Sequence, residues 1–176
     1  MAESSYDEAT VVKASQVDDG RSTAELISAF RAGPALLRDS VADLTPDQLR
    51  ARPVAGKLSA LEVVAHVADC DQFLADRMKR TIATERPLLL GVDGSLYPDA
   101  LHYQERDLEL QLELLDITRR QMAADLERLS DDVWSRQAVH SESGLVTLRQ
   151  LLLHSVRHLE RHLDAIAEKR RALGLA

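Results

Sequence analysis

The sequence predicts an all-α fold, a four-helix bundle built from one domain. Hydrophobic residues make up 45% of the 176 residues, but aromatic residues make up only 3%. The chain has only 7 glycines and 5 prolines, whereas a β-sandwich or barrel would need more aromatic residues and more turns. Four long stretches each carry one apolar stripe at helical spacing, and four such helices can bury their stripes against one another.

The first predicted helix covers Thr23–Val41. It begins after a capping box, in which Ser22 and Glu25 satisfy each other's backbone N–H groups. The dipeptide Gly33-Pro34 lies inside this stretch and predicts a kink or a break in the helix.

The second predicted helix covers Ala60–Thr84 and begins after a capping box formed by Ser59 and Glu62. An irregular segment, 86–98, separates it from a third helix predicted over Asp99–Leu129. Such a link extends roughly 40 Å, close to the roughly 37 Å length of the helix before it. It is longer than a tight hairpin needs and long enough for a crossover. The sequence therefore predicts an up-down-down-up topology with a long crossover between helices 2 and 3.

The fourth predicted helix begins after a capping box of Thr147 with Gln150 and runs to about Ala172. A loop that contains His140 and Gly144 is predicted before it. The helix carries three histidines at intervals of four residues, and these are the strongest pointer to a binding site.

The histidines of the fourth helix are His154, His158 and His162. Positions i and i+4 lie one turn apart on the same helix face, where two imidazoles can close on one metal ion. The outer two lie about 12 Å apart along the axis, so one ion takes only one adjacent pair. His66 is the candidate third ligand, because it lies in the apolar stretch LEVVAHVAD of the second helix. A lone histidine there is more often a hydrogen-bonded core residue, but helix bundles commonly build metal sites from inward side chains on facing helices.

The relative direction of helices 2 and 4 decides which pair joins His66. In an up-down-up-down bundle the two helices are parallel, and His66 would lie level with His154. In the up-down-down-up bundle they are antiparallel, and His66 faces the later pair. The crossover favours the second arrangement, so the predicted ligands are His66, His158 and His162. His154 then lines the pocket or faces solvent.

Four other residues are candidates for a role beside the metal, and each has a structural alternative. Asp69 either orients an imidazole or is a surface carboxylate, and Cys70 is either a soft fourth ligand or a small core residue. Arg77 lies on the same stripe as His66 and either binds an anionic substrate group or forms a structural salt bridge. His140 is a loop histidine and a candidate for proton transfer.

Composition and charge exclude several classes of protein. The net charge of −7 does not fit a general nucleic-acid binder, which usually carries a basic stripe. The single cysteine, Cys70, fits a reducing compartment, and the acidic N-terminus does not resemble a signal peptide. No apolar run reaches membrane-spanning length, so we expect a cytoplasmic protein with neither nucleic-acid nor membrane partners. Residues 1–21 are predicted to be a mobile tail, and residues 22–176 the single domain.

Two stretches of the chain resemble the DinB/YfiT-like metalloenzyme superfamily: GKLSALEVVAHVADCD, and LRQLLLHSVRHLERHLDAI near the C-terminus. The resemblance covers roughly residues 22–172. The family's helix-2 histidine matches His66, and its final H-x-x-x-H pair matches His158 and His162. The resemblance implies an up-down-down-up bundle, often a homodimer, that binds nickel, zinc or another divalent ion such as manganese or iron. It also implies that some relatives are transferases or isomerases that use low-molecular-weight thiols.

Three neutral imidazoles leave a divalent ion with its full charge and at least one open position, the arrangement of catalytic rather than structural metal sites. Such an ion can activate a water, hold a thiolate or polarise a carbonyl. We therefore expect a metal-dependent enzyme, a hydrolase or a low-molecular-weight-thiol S-transferase, acting on a small molecule. The sequence leaves two alternatives open. One is a non-catalytic metal-binding or ligand-binding bundle involved in stress response, and the other is a purely structural dimer whose histidines are incidental.

Overall fold

The computed structural model describes residues 18–175. Its framework is four long helices: α1 (Thr23–Val41), α2 (Ala60–Ala83), α3 (Leu108–Leu126) and α4 (Leu148–Ala172). The prediction of a four-helix bundle is confirmed. The predicted mobile tail falls mostly on residues 1–17, which lie outside the described residues. Just after them, Arg21 forms an ion pair of 2.7 Å with Glu160 of α4.

Three of the four helices begin where the sequence predicts. Capping boxes form at Ser22, Ser59 and Thr147, each of which accepts a hydrogen bond from the backbone N–H three residues later. α1 is one continuous helix that includes Pro34, so, of the kink or break predicted there, the break does not occur.

Ion pairs between α1 and α3 show that these helices are antiparallel. Arg31, in the middle of α1, pairs with Glu127 at the end of α3 at 2.6 Å. Arg38, near the end of α1, pairs with Glu109 at the start of α3 at 2.6 Å.

Ion pairs of α4 fix the remaining directions. Arg170, near the end of α4, pairs with Asp43, just after the end of α1, at 2.5 Å. Glu168 pairs with Lys57, just before the start of α2, at 2.8 Å. α4 is therefore parallel to α1 and antiparallel to α2, which confirms the up-down-down-up topology.

The chain between α2 and α3 forms the predicted crossover. It contains in order β1 (Leu88–Leu89), a 3-10 turn (Gly94–Leu96), a short helix (Tyr97–Ala100) and a second 3-10 turn (Tyr103–Glu105). Because these turns take up the start of the predicted third helix, α3 begins at Leu108 rather than at Asp99. The crossover returns the chain to the end of the bundle where α2 starts, so α2 and α3 are parallel.

A small three-stranded sheet lies beside the bundle, and the sequence does not predict it. β1 pairs in parallel with β2 (Gln137–His140), and β2 pairs antiparallel with β3 (Gly144–Thr147). The prediction of a loop around His140 is wrong, since His140 lies in β2 and pairs with Gly144 of β3. Gly144 has a φ of +75°, a left-handed conformation that glycine adopts without steric cost.

A buried ion pair lies where the four helices meet. Arg119 of α3 and Asp71 of α2 are 0% and 1% exposed, and two hydrogen bonds of 2.5 and 2.9 Å join them. The Arg119 guanidinium also donates to the backbone oxygens of Phe30 in α1 and Ser155 in α4, each at 3.2 Å. α1 approaches closely because residue 33 is glycine: a Cβ on Gly33 would lie 2.3 Å from Nη1 of Arg119. The guanidinium thus touches all four helices.

This ion pair separates two apolar clusters along the bundle. On α2, Asp71 lies between Ala68 of one cluster and Ala75 of the other. The cluster on the Ala75 side includes Leu26, Phe30, Met78, Met122, Leu126 and Leu152. The cluster on the Ala68 side includes Leu37, Leu61, Val64, Leu112, Leu115 and Ile166. Among the described residues, no helix has the length and apolar character needed to cross a membrane.

Removing one partner of the buried ion pair should destabilise the fold strongly. We expect Arg119→Met to lower the free energy of unfolding by about 3–5 kcal/mol, because it leaves the Asp71 carboxylate buried without its cation. Urea titration followed by circular dichroism measures this. The matched control is Arg120→Met, which removes an exposed arginine paired with Asp116 at 3.1 Å and should cost less than about 1 kcal/mol. Equal losses in the two variants would contradict the assigned role of the buried pair.

Candidate metal centre

Three histidines from two helices meet in the interior of the bundle. His66 lies on α2, and His158 and His162 lie one turn apart on α4. The ring centroids are 5.4 Å apart for His66 and His158, 4.9 Å for His66 and His162, and 4.5 Å for His158 and His162. The side chains are buried, with relative exposures of 4%, 0% and 9% in the same order along the chain. The antiparallel packing of α2 and α4 thus brings together the three residues that the sequence picks out.

The spacing of the three rings fits one shared ion. With metal–nitrogen bonds of about 2.0–2.1 Å, the ring centroids of two ligands lie about 4.5 Å apart at octahedral angles and about 5.2 Å apart at tetrahedral angles. The three observed distances, from 4.5 to 5.4 Å, lie in or next to that range. The centroid spacing is therefore compatible with one shared divalent ion, provided that a nitrogen of each ring faces it.

The environment keeps these imidazoles neutral. Burial, followed by the positive charge of Arg161, lowers the pKa of His66 to about 4. The pKa of His158 is lowered well below its ordinary value by burial and then by the neighbouring histidines. The pKa of His162 is lowered in the same way by burial, then by His66, Arg161 and Lys169. Neutral imidazole is the form that binds metal ions, so the site is in its ligating state at neutral pH.

Cys70 lies beside this cluster and offers a second set of donors. Its ligand atom and those of His66 and His158 all lie within 4.8 Å of one another. The sulfur is 3.5 Å from Nε2 of His66 and 3.8 Å from Nδ1, so it is nearly equidistant from the two nitrogens. If both residues held one tetrahedral ion, the sulfur would be about 3.6 Å from the ligating nitrogen and about 5 Å from the other. The sulfur therefore lies beside the ring of His66, and Cys70, His66 and His158 form a candidate donor set that shares two histidines with the three-imidazole set.

A small cavity adjoins the cluster. Its volume is about 10 Å³, enough for one water molecule. His158, Cys70, His154 and Arg77 line it on the helical side, with apolar side chains between them. His154 is 3% exposed and its ring centroid is 6.2 Å from that of His158. Of the two positions that the sequence left open for His154, the one lining the pocket is correct.

The crossover segment closes the cavity on the other side. A Cβ on Gly94 would lie 3.1 Å from Cε1 of His66 and 3.6 Å from the sulfur of Cys70. The backbone at this position passes so close to the cluster that a larger residue would press on the imidazole. Nothing in the sequence pattern singles out Gly94, because the residue that it contacts, His66, lies on another element of the fold.

Asp69, one turn from His66, holds the crossover segment to α2. Its carboxylate accepts hydrogen bonds from the Tyr103 hydroxyl at 2.6 Å and from Arg106 at 2.9 Å. Burial, and then the hydrogen bond to Asp69, raises the pKa of Tyr103. Asp69 also acts on the cluster through space, since its charge opposes the lowering of the His66 pKa. Sequence reasoning missed Tyr103 and Arg106, which carry no spacing signal.

The other two predicted candidates are both buried. Arg77 is 5% exposed and donates a hydrogen bond of 2.7 Å to the backbone oxygen of Leu90 in the crossover. His140 is 1% exposed in β2, and its Nδ1 accepts a hydrogen bond of 3.3 Å from the backbone N–H of Glu142. Arg77 reaches the cavity beside the cluster, whereas His140 is not among the residues that line that cavity.

Comparison with known proteins gives consistent matches over most of the chain. The family model described as the DinB superfamily matches residues 29–166. A proposed metal-dependent hydrolase from Bacillus licheniformis is 27% identical over 157 residues, which are 89% of each chain. A protein from Bacillus subtilis, YfiT, also named as a proposed metal-dependent hydrolase, is 27% identical over 142 residues, 80% of each chain.

Two solved structures share the fold. The structure of YfiT, described as having an unusual four-helix bundle topology, has a TM-score of 0.84 and 24% identity, with 91% of this chain and 94% of that chain covered. A mycothiol-dependent maleylpyruvate isomerase has a TM-score of 0.65 and 14% identity, with 82% of this chain and 60% of that chain covered. At these identities the two structures support the architecture alone.

The stability of the metal-free protein should fall as the pH is lowered from about 7 to about 5. His66 has a folded-state pKa of about 4, below the ordinary value of about 6.5 in an unfolded chain. Between these values the unfolded chain binds the proton and the folded chain does not. The contribution of each neutral histidine to the free energy of unfolding is therefore complete above the pKa of the unfolded chain. As the pH falls below that value, this contribution is lost by at most about 1.4 kcal/mol per pH unit for each histidine.

Urea titrations of chelator-treated protein across this pH range measure the slope. His66→Gln removes one of the contributing groups and should make the slope shallower. His102→Asn is the matched control, because His102 is exposed and its left-handed backbone suits asparagine. If His66→Gln kept the wild-type slope, the neutral state assigned to His66 would be wrong.

Proposed function

This chain belongs to the DinB superfamily, and we propose that it is a metal-dependent enzyme acting on a small molecule. The proposed ligands of the metal are His66, His158 and His162. The observation that carries this proposal is the meeting of three buried imidazoles from two helices, with ring centroids 4.5–5.4 Å apart. The relatives are named as proposed metal-dependent hydrolases, and these names support a metal-dependent enzyme.

Zinc or nickel is the proposed ion. Imidazole nitrogen suits zinc, nickel, copper and iron, whereas carboxylate and carbonyl oxygen suit magnesium, calcium and manganese. A set of three imidazoles therefore favours zinc or nickel, with iron as a further candidate and manganese the least favoured.

The residues around the site prepare it for catalysis. A bound divalent ion would supply Lewis acidity, which lowers the pKa of a coordinated water or thiol. The three imidazoles are in the neutral form, in which one ring nitrogen has a free lone pair, because burial lowers their pKa. Gly94 and the crossover backbone cover the face of His66, and the adjoining cavity, which has room for one water molecule, lies on the side of His158.

Hydrolysis and thiol transfer are the two reactions that this arrangement serves best. A hydrolase would use an activated water, and an S-transferase would use a low-molecular-weight thiol as the nucleophile in its place. Likeness in fold to a mycothiol-dependent isomerase supports keeping the thiol reaction beside hydrolysis. Three protein donors leave room for either nucleophile, whereas a fourth donor such as Cys70 would close the site and favour a non-catalytic role.

We also propose that the protein forms a homodimer in the cytoplasm. Leu36 of α1 and Leu110 and Ile117 of α3 are 52%, 59% and 60% exposed on two neighbouring antiparallel helices. A contiguous apolar patch formed by such side chains would be typical of a subunit contact. The single cysteine fits a reducing compartment.

Substitution of individual histidines tests the proposed ligand set. In untagged protein, His158→Ala should lower zinc or nickel affinity by more than about 100-fold, beyond the 10- to 100-fold effect of residues that only support a ligand. His154→Ala is the matched control one turn away on the same helix, and it should lower affinity by less than about tenfold. Elemental analysis and competitive metal titration provide the measurement.

The reverse ranking of these two variants would contradict the ligand assignment. Wild-type protein that retained no metal after purification and bound none on titration would contradict the proposed function as a whole.

A further inference from the structure

A second and larger cavity lies at the end of α2, away from the histidine cluster. Its volume is about 570 Å³, within the range of roughly 300–1,000 Å³ that is usual for sites of small molecules. Ala83, the last residue of α2, is one of the residues that line it. Ala83 follows His66 by nearly five helical turns, about 26 Å along the axis. This cavity is therefore separate from the proposed metal centre.

Two segments that are far apart in the chain form the walls of this cavity. One is residues 83–86, the end of α2 and the turn that follows it, and the other is residues 135–137, which lead into β2. The parallel pairing of β1 with β2 holds the two segments side by side. Arg136 adds a direct link, because its Nη1 donates a hydrogen bond to the backbone oxygen of Ile82 in α2. The fold thus fixes both walls in place.

The polar residues around this cavity favour an anion. Five of the lining residues have side chains that can donate hydrogen bonds: Thr84, Arg86, Ser135, Arg136 and Gln137. Among the described residues that line it, Glu85 is the only carboxylate. Neither arginine forms an ion pair with a carboxylate in residues 18–175. The lining therefore has an excess of positive charge, although the chain as a whole has a net charge of −7.

Arg86 has an unusual backbone conformation at this cavity. Its φ of +43° lies in the left-handed region, which residues other than glycine adopt rarely because the Cβ atom crowds the backbone. The next residue is Pro87, and a proline further restricts the backbone of the residue before it. Strained conformations of this kind are concentrated at functional sites such as ligand clamps, so the Arg86 side chain is a candidate ligand contact.

We propose that this cavity binds the phosphate group of a small phosphorylated molecule, with Arg86 as the principal contact and Arg136 beside it. The planar fork of a guanidinium matches two phosphate oxygens, and the hydroxyls of Thr84 and Ser135 can donate to the others. The carbonyl end of a helix opposes an anion, but the Arg136 guanidinium covers one of these oxygens, that of Ile82. A phosphate alone would fill only part of the cavity, so the remainder has room for an organic group.

Pairs of small molecules with and without a phosphate test this proposal. The probes are glycerol 3-phosphate, ribose 5-phosphate and adenosine 5′-monophosphate, compared with glycerol, ribose and adenosine. Isothermal titration calorimetry of the purified protein in a phosphate-free buffer gives the affinities. We expect at least one ester to bind roughly tenfold or more tightly than its phosphate-free partner, the effect of hydrogen bonds to a charged group. Inorganic phosphate should compete with that ester.

Variants of Arg86 separate recognition of the phosphate from loss of structure. Arg86→Asn removes the charge and introduces a residue that tolerates the left-handed backbone. It should weaken binding of the ester by about tenfold or more, while the urea midpoint of unfolding stays unchanged or rises. Arg86→Lys keeps the charge without the planar fork and should keep part of the affinity. His102→Asn is the matched control, because His102 also has a left-handed backbone, with a φ of +49°, but does not line the cavity. It should bind the ester as the wild-type protein does.

Two results would overturn this inference. If Arg86→Asn bound the ester as tightly as the wild-type protein, the phosphate would be held elsewhere, such as at the proposed metal. If none of the three esters bound more tightly than its phosphate-free partner, the cavity would not be a phosphate site. Neither result bears on the proposed metal-dependent function, which metal titration of the histidine variants measures independently.

Discussion

The ion pair between Arg119 and Asp71 fixes the relative positions of the four helices, and the proposed site depends on it. One guanidinium bonds the carboxylate of α2 and the backbone oxygens of Phe30 and Ser155, so α1, α2 and α4 all contact a single group on α3. A buried charge tolerates little displacement, because each lost hydrogen bond leaves an uncompensated polar group. Apolar clusters on either side can repack with small shifts, whereas the ion pair cannot. It therefore sets the register of α2 against α4, and that register places His66 opposite the histidine pair.

Burial and charge then give the histidine cluster its chemistry. The bundle interior removes the imidazoles from water, and the nearby cations Arg161 and Lys169 oppose protonation further. The positive charges of these side chains also repel a divalent metal ion. Their electrostatic field therefore favours an anion as the remaining ligand of that ion. Hydroxide, thiolate and carboxylate are all anions of this kind.

The sequence was sufficient to predict the four-helix framework and to select the proposed ligands. It was insufficient to predict the small sheet and the side-chain contacts around the site. Capping boxes and the histidine spacing are local signals, and the long link after α2 is enough to choose between the two helix directions. The small sheet was missed because strands of two to four residues carry no periodic pattern. The contacts of Asp71 with Arg119 and of Asp69 with Tyr103 join residues far apart in the chain. In the sequence, these residues look like ordinary members of charged or amphipathic helices. Only the folded arrangement shows that Asp71 is buried and that Asp69 holds the crossover.

X-ray absorption spectroscopy of the zinc-loaded, untagged protein tests the central claim most directly, because it identifies the donor atoms themselves. We expect three imidazole nitrogens at about 2.0–2.1 Å, with any further ligand an oxygen and no sulfur in the coordination shell. A sulfur at about 2.3 Å would assign Cys70 as a ligand and close the open position. That result, or a shell with fewer than three imidazoles, would contradict the three-histidine site.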